Sequence, residues 1–119
     1  MGEATLEIVG VDIADGLKRL RGNEKMYRKL LGILTKNAED EIARFQTLPT
    51  EDKREEVRGA AHKLKGAAAN LSATALFQAA EKLEQAARDA APFPTVLDAV
   101  AEYVAVCRQF IDGAKQAGV

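Results

Sequence analysis

The sequence predicts an all-α protein, an up-down-up-down antiparallel four-helix bundle with a short additional N-terminal helix. Four long segments repeat apolar residues at spacings of three and four, which is typical of helices that bury one face. Alanine is abundant, and the three prolines all fall between these segments. The turns are short, which favours antiparallel neighbours. We expect one helical domain over residues 11–119, preceded by a flexible or extended arm over residues 1–10.

The first two helices are separated by Gly22-Asn23. A short helix over residues 12–21 is expected to lie across one end of the bundle as a lid. Asn23 is expected to cap a second helix over residues 24–47, because Asn is a favoured N-cap residue. The apolar stripe of that helix contains Tyr27, Leu30, Leu31, Leu34, Ala38, Ile42 and Phe45. Its acidic run at residues 39–41 is interpreted as a solvated face.

Three hydroxyl residues are predicted to cap the remaining helices. Thr50, after Pro49, should cap a third helix that ends near residue 70. Ser72 should cap a fourth helix that ends at residue 90 or 91, and Thr95 a fifth. The inward positions predicted for the fourth helix are Leu76, Ala80, Leu83 and Ala87, and those for the fifth are Leu97, Val100, Val104, Cys107, Ile111 and Ala114.

Composition excludes several classes of protein. The chain has 17 basic and 18 acidic residues, so it lacks the basic excess of a nucleic-acid-binding domain. Cys107 is the only cysteine, which excludes an internal disulfide and a cysteine-based zinc site, and we expect it to be buried. No signal-peptide pattern and no apolar run of about 18 residues is present, so we expect a cytoplasmic protein without a membrane segment.

The only histidine, His62, lies within the third predicted helix but off its apolar stripe. That stripe consists of Val57, Ala61, Leu64, Ala68 and Leu71. Residues three and four positions away share a face with the histidine, and they are Arg58, Gly59, Lys65 and Gly66. Each glycine costs a helix interior about 1 kcal/mol relative to alanine, but leaves the imidazole clear for another protein surface. An exposed imidazole beside clearance and positive charge suits a group that accepts a dianion.

Antiparallel packing indicates what faces His62 from the fourth helix. His62 lies nine residues before Leu71, so the facing positions lie about nine to thirteen residues beyond the turn. The candidates are Glu81, Glu84 and Gln85.

The segment His62-Lys63-Leu64-Lys65-Gly66, followed by Asn70-Leu71 and Leu83-Glu84, resembles the signature of histidine-containing phosphotransfer (HPt) domains. The similarity extends upstream through Gly10-Val11-Asp12 and covers roughly residues 10–90. One departure is Ser72, where the family usually has glycine in the turn that follows.

The resemblance implies that His62 accepts a phosphoryl group from a receiver-domain aspartate and passes it to another receiver in a phosphorelay. Lys65 is the residue expected to stabilise the phosphate charge, and Glu84 is expected to orient the histidine or line the rim. The remaining surface expected to bind the partner comprises Arg58, Gly59, Lys63, Gly66 and Ala69. Because no acidic residue occurs between Val57 and Ala80, this surface is predicted to be net positive.

The implied partners are a response-regulator receiver domain and a hybrid sensor histidine kinase. The chain has no phosphate-binding loop motif for ATP, so we expect a stoichiometric phosphocarrier and not an enzyme. No cofactor is expected on this chain, and Mg²⁺ would be held by the partner receiver only. A monomer is expected, and both a free-standing carrier and a domain of a hybrid kinase remain open.

Proteins of other classes share some of these features. A helical docking module could bind a receiver or kinase without carrying phosphate, although such a module would normally have lost His62 or Lys65. A carboxylate-type metal bundle needs paired Glu-x-x-His motifs, which one histidine cannot supply. A hydrolase would need a nucleophile–base pair. Gly66 could instead be a packing glycine against a neighbouring helix, and Lys65 could be merely solvated.

Overall fold

The structure, a computed structural model, describes residues 6–119, and over that range it is helical with no strand. The predicted all-α fold class is confirmed. The helices are α1 (Ile13–Arg19), α2 (Glu24–Arg44), α3 (Arg54–Asn70), α4 (Thr74–Arg88) and α5 (Phe93–Gln116), and a single 3₁₀ turn (Glu51–Lys53) precedes α3.

The four long helices form an elongated bundle of 53 × 22 × 17 Å. Helix α3 packs between α2 and α4, and α5 packs on α2 and α4 from the other side, so α5 lies diagonally opposite α3. One continuous apolar core joins the helices. The functional candidates on α3 therefore project from one edge of the bundle, with α2 on one side and α4 on the other.

Helix α1 is fixed at one end of the bundle by a close contact. A Cβ atom added to Gly16 would lie 2.2 Å from the hydroxyl oxygen of Tyr27, so only glycine permits this approach. The buried Tyr27 hydroxyl donates a hydrogen bond of 2.8 Å to the carbonyl oxygen of Leu71. Burial raises the pKa of Tyr27 to about 12. A single tyrosine thus connects α1, α2 and the turn that follows α3.

The helix starts only partly follow the predicted caps. The Asn23 cap is confirmed, since its side chain accepts a hydrogen bond of 3.0 Å from the backbone N–H of Met26. The Thr50 cap is wrong, because a 3₁₀ turn comes first and Thr50 makes no side-chain cap bond. The Thr95 cap is also wrong. Pro92, which has an extended backbone, occupies the N-cap position, and α5 begins at Phe93, two residues before Thr95.

Ser72 is likewise not an N-cap. Its φ of 57° places it in the left-handed region, and Ala73 precedes α4 instead. The Ser72 hydroxyl donates to the carboxylate of Asp15 in α1, and this bond lowers the pKa of Asp15. A position with positive φ is where glycine is most readily accommodated. The backbone therefore explains why glycine suits this turn.

Three helices end earlier than predicted, and one of them is α4, which ends at Arg88 and not at residue 90 or 91. Arg21 and Gly22 both have positive φ, so α1 ends at Arg19 and not at Arg21. Helix α2 ends at Arg44, and residues 45–47 form turns instead of continuing to residue 47.

The predicted inward face of α5 is wrong at its first position. Leu97 is 42% exposed, whereas Val96 and Tyr103 are fully buried. The adjacent apolar pair at 96 and 97 fits the repeat in either register, so periodicity alone could not choose between them.

Part of the predicted N-terminal arm, residues 1–5, lies outside the described residues. From Leu6 onward the chain packs on the bundle, with Leu6 and Ile8 buried. The carbonyl oxygen of Gly10 accepts hydrogen bonds from the Ala75 N–H at 3.0 Å and the Thr74 hydroxyl at 3.1 Å. Within residues 6–119, no helix is both long and apolar enough to cross a membrane.

Candidate functional site

His62 projects from the middle of α3 into solvent, with 68% of its side chain exposed. The buried Ala61 and Leu64 on either side of it hold α3 against the core, so the histidine stands on a rigid helix. Its Nδ1 atom lies 2.8 Å from Oε2 of Glu84 on α4. Of the three acidic or amide candidates on the fourth helix, the structure therefore brings Glu84 to the histidine.

Glu84 joins the histidine to a lysine. Its side chain is only 5% exposed, and its second oxygen, Oε1, lies 2.7 Å from Nζ of Lys65. The hydrogen bond from Lys65, reinforced by that from His62, lowers the pKa of Glu84 against the opposing effect of burial. One buried carboxylate thus holds one side chain on each of its oxygens.

The contact between His62 and Glu84 fixes the tautomer of the neutral imidazole. An ionised carboxylate can only accept hydrogen bonds, so the hydrogen bond to Glu84 requires a proton on Nδ1. In neutral histidine the other ring nitrogen then carries a free lone pair. Nε2 therefore carries the free lone pair, and it lies across the ring from the Nδ1 atom that contacts Glu84.

The other predicted cations differ in their partners. Arg58 forms a salt bridge of 3.1 Å with Glu55, whose hydrogen bond raises the pKa of Arg58. Lys65 is occupied by Glu84. Lys63 is exposed and forms no ion pair with any residue from 6 to 119. Glu55 and Glu84 lie outside the segment from Val57 to Ala80 that contains no acid, and their pairing with Arg58 and Lys65 partly neutralises the positive charge predicted for this surface.

Gly59 and Gly66 stand in open space on either side of His62. A Cβ atom added to either one would meet no atom within 4 Å. The alternative that Gly66 is a packing glycine is therefore contradicted. Ala69, one further turn along α3, is half-buried. These small residues thus leave the surface of α3 beside the imidazole without protruding side chains.

A groove between α2 and α3, which we call the α2–α3 groove, was not foreseen from the sequence. It has a volume of about 340 Å³ and is lined by Asn37, Asp40, Glu41, Arg44, Gly59, Ala60, Lys63, Leu64 and Ala67. Since Gly59 and Lys63 belong both to this lining and to the surroundings of His62, the groove directly adjoins the candidate site.

Glu41 at the base of the groove was wrongly interpreted as solvated. It is 7% exposed, accepts a hydrogen bond of 2.7 Å from the Tyr103 hydroxyl, and accepts one of 3.0 Å from Nε of Arg44. The signal lay in its spacing, since Glu41 follows the core residue Ala38 by three and precedes the core residue Phe45 by four.

No cluster of three or more His, Cys, Asp and Glu side chains that could hold a metal ion occurs within the described residues. The candidate site instead consists of one nucleophilic imidazole, one buried carboxylate and nearby cations, on a helical bundle. This arrangement is suited to the class of proteins that carry a group on a histidine.

The comparison with known families identifies that class. The family model described as Hpt domain matches residues 29–116. The chain belongs to the Hpt domain family, whose members are phosphocarriers in histidine phosphotransfer of two-component systems and interact with receiver domains and kinases. Searches of the curated proteins and of the solved structures found no match.

Proposed function

We propose that His62 accepts a phosphoryl group from an aspartyl phosphate on a receiver domain and passes it to the aspartate of a second receiver. The observation that supports this most directly is the orientation of the ring. Glu84 holds Nδ1 at 2.8 Å, and the exposed side chain leaves Nε2 free to react.

The transfer follows from the tautomer. The Nε2 lone pair attacks phosphorus, a P–N bond forms, and the P–O bond to the receiver's aspartate breaks, which leaves that carboxylate as the departing group. The ring then carries a positive charge with its proton still on Nδ1. Because the Glu84 carboxylate faces that proton, it offsets the charge that develops on the ring. The reverse sequence delivers the phosphoryl group to the next aspartate.

Lys65 is proposed to stabilise the phosphate oxygens. Phosphoryl transfer depends mainly on positioning and on charge neutralisation. Glu84 holds the Lys65 ammonium on the same carboxylate that holds the histidine, so the lysine stays one helical turn from the reacting nitrogen and keeps two further N–H donors for the phosphate oxygens. Arg58 and Lys63 add positive potential. Mg²⁺ is proposed to be supplied by the receiver, and this chain to act stoichiometrically.

The experiment is phosphorylation by phosphoramidate, with the His62→Gln variant as control. We expect the wild-type protein to gain one acid-labile phosphoryl group by intact mass and the variant to gain none, with equal helical circular dichroism. NMR of the loaded protein should assign the phosphoryl group to Nε2. No uptake by folded wild-type protein would refute the carrier function in favour of the docking module. Loading on Nδ1 would refute the role given to Glu84.

A further inference from the structure

We propose that Gly10 is a positioning residue for His62 and that it acts through α4. Gly10 belongs to residues 6–12, which cross the bundle before α1 begins and which we call the N-terminal strap. The strap lies outside residues 29–116, the part of the chain that the family model matches. The inference rests on the proposed function and adds to it a residue that fixes the orientation of the reacting ring.

The N-terminal strap is attached to the bundle at both of its ends. Leu6 and Ile8 are buried, and a Cβ atom added to Gly113 of α5 would lie 3.1 Å from Cγ2 of Ile8. At the other end, the Asp12 N–H donates a hydrogen bond of 2.8 Å to the carbonyl oxygen of Ser72, in the turn between α3 and α4. The strap therefore runs from α5 to the point where α4 begins.

Gly10 supplies a cap that the local sequence of α4 lacks. Ala73, the residue before α4, has no side chain that could accept a cap hydrogen bond. The Gly10 carbonyl oxygen instead accepts hydrogen bonds from the Ala75 N–H at 3.0 Å and from the Thr74 hydroxyl at 3.1 Å. Because the first N–H groups of a helix have no acceptor within the helix, the strap satisfies one of them from outside.

The strap and α4 approach each other so closely that glycine is required at position 10. A Cβ atom added to Gly10 would lie 2.7 Å from the Cβ atom of Ala75. The φ of Gly10 is 84°, in the left-handed region that also favours glycine. A side chain at this position would therefore push the strap and α4 apart.

The strap contacts α4 on the side opposite the histidine. Ala75 and Glu84 are nine residues apart, which is two and a half turns at 3.6 residues per turn, so they lie on opposite faces of α4. Glu84 faces α3, where its Oε2 lies 2.8 Å from Nδ1 of His62. The strap thus holds the start of α4 toward α3. Because α4 has only 15 residues, a tilt at its first turn also moves Glu84.

The contact between Glu84 and His62 is sensitive to such a movement. Hydrogen bonds of this kind span about 2.7–3.2 Å, so a shift of roughly half an ångström is enough to lose the bond. Without it, the neutral imidazole is no longer restricted to a proton on Nδ1, and both tautomers are populated. Only the tautomer with a free Nε2 can attack phosphorus at that atom.

The test compares Gly10→Ala with Gly22→Ala. The φ of Gly22 is 79°, close to the 84° of Gly10, so alanine is strained to a similar extent at both positions. At Gly22, however, an added Cβ atom would meet no atom of the described residues within 4 Å. A double variant, Gly10→Ala with Ala75→Gly, removes the atom against which the new methyl group presses, and Ala75→Gly alone is its reference.

Three properties are measured for each protein. NMR of the imidazole nitrogens at alkaline pH, where the ring is neutral, gives the tautomer of His62. Phosphoramidate gives the rate at which His62 is loaded, and urea denaturation followed by circular dichroism gives the free energy of unfolding. A milder variant, Thr74→Val, removes only the hydroxyl that donates to Gly10, and it serves if Gly10→Ala does not fold.

We expect wild type and Gly22→Ala to share one ring spectrum, with the proton on Nδ1, although Gly22→Ala is less stable. Gly10→Ala should show both tautomers and load about threefold more slowly, because part of the population no longer presents a free Nε2. Thr74→Val should shift the ring spectrum in the same direction. The double variant should recover the ring spectrum and loading rate of Ala75→Gly.

A wild-type ring spectrum and loading rate in folded Gly10→Ala would overturn the proposal, since the strap would then contribute to stability alone. A double variant that stays as slow as Gly10→Ala would overturn the contact with Ala75 as the link to α4. If phosphoramidate fails to load wild-type protein, the proposed function fails, whereas the ring spectra still decide whether Gly10 positions His62. The two failures are therefore distinguishable.

Discussion

Three glycine-to-alanine substitutions on two helices are expected to have opposite effects on stability. Gly59 and Gly66 flank His62 on α3, and an added Cβ atom would meet no atom within 4 Å at either position. Alanine there gains helix propensity of about 1 kcal/mol at each site without any steric cost. The free energy of unfolding of Gly59→Ala and of Gly66→Ala should therefore rise by about 1 kcal/mol each.

Gly16 is the opposing case within the same protein. Its added Cβ atom would lie 2.2 Å from the Tyr27 hydroxyl oxygen, a distance that no pair of non-bonded atoms tolerates. Either α1 moves away or Tyr27 rotates and loses its 2.8 Å hydrogen bond to Leu71. Overpacking costs about 1–3 kcal/mol and the lost bond about 1 kcal/mol, against a helix gain of about 1 kcal/mol. We expect a net destabilisation of about 1–3 kcal/mol.

Urea denaturation followed by circular dichroism measures all three values. In thermal scans, each kcal/mol corresponds to a shift of roughly 3–6 °C for a domain of this size. The Gly59 and Gly66 variants should melt above wild type and the Gly16 variant below it. Destabilisation by alanine at 59 or 66 would refute the reasoning, because it would mean that these glycines serve packing after all.

The same two variants separate stability from function. The methyl groups at positions 59 and 66 stand on the surface that a partner must approach, so transfer from a receiver should slow although the protein is more stable. Loading of His62 by the small donor phosphoramidate should be unchanged. If the variants match wild type in loading from the receiver and from phosphoramidate, and are more stable, then the open space beside His62 is not needed by a partner.

Three further predictions concern buried or strained groups. Glu84→Gln should lower the free energy of unfolding at neutral pH. Because the pKa of Glu84 is lowered from 4.5 in the folded state, the difference in unfolding free energy between wild type and variant should shrink as the pH falls through the folded pKa. Urea titrations that gave equal differences at pH 7 and pH 3 would contradict this. The pKa of Tyr27 is raised from 10.0 to about 12, so between pH 10 and pH 12 the folded protein keeps this proton while the unfolded chain loses it. The free energy of unfolding should therefore fall by about 3 kcal/mol at most over that pH range. Tyr27→Phe should show a shallower fall in urea titrations over the same range. Ser72→Gly should be more stable than Ser72→Ala by about 1 kcal/mol. Both variants lack the hydroxyl that binds Asp15, and only alanine is strained at a φ of 57°. Equal unfolding free energies would show that this backbone strain has no effect on stability.

The sequence predicted the elements of this fold because the apolar repeat and the three prolines act locally. Asn23 caps α2 as predicted, since the helix that follows leaves its first N–H groups for the nearest side-chain acceptor. Ser72 could not be predicted in the same way. Its left-handed backbone and its bond to Asp15 depend on where α1 lies, and the two residues are 57 positions apart along the chain.

The candidate site divides along the same line. His62, Lys65 and the two glycines belong to one helix, and helical periodicity was sufficient to place them together. Periodicity could narrow the facing residue on α4 to three candidates but could not choose Glu84, because the choice depends on the rotation of α4 against α3. Predicting the α2–α3 groove likewise requires the spatial arrangement of the helices, and so does predicting the burial of Glu41 by Tyr103 on α5.

The exposure of the imidazole and the burial of its carboxylate serve one purpose. A histidine that exchanges phosphate with a protein must be reachable, and 68% exposure makes it so, but an exposed side chain also samples many orientations. Glu84 removes that freedom from a position that the partner does not need, because it is 5% exposed and approaches from α4. Lys65 in turn holds the carboxylate ionised and in place. In the proposed transfer, Nε2 is thereby oriented from the side of α4, and the surface of α3 beside it stays free for a receiver.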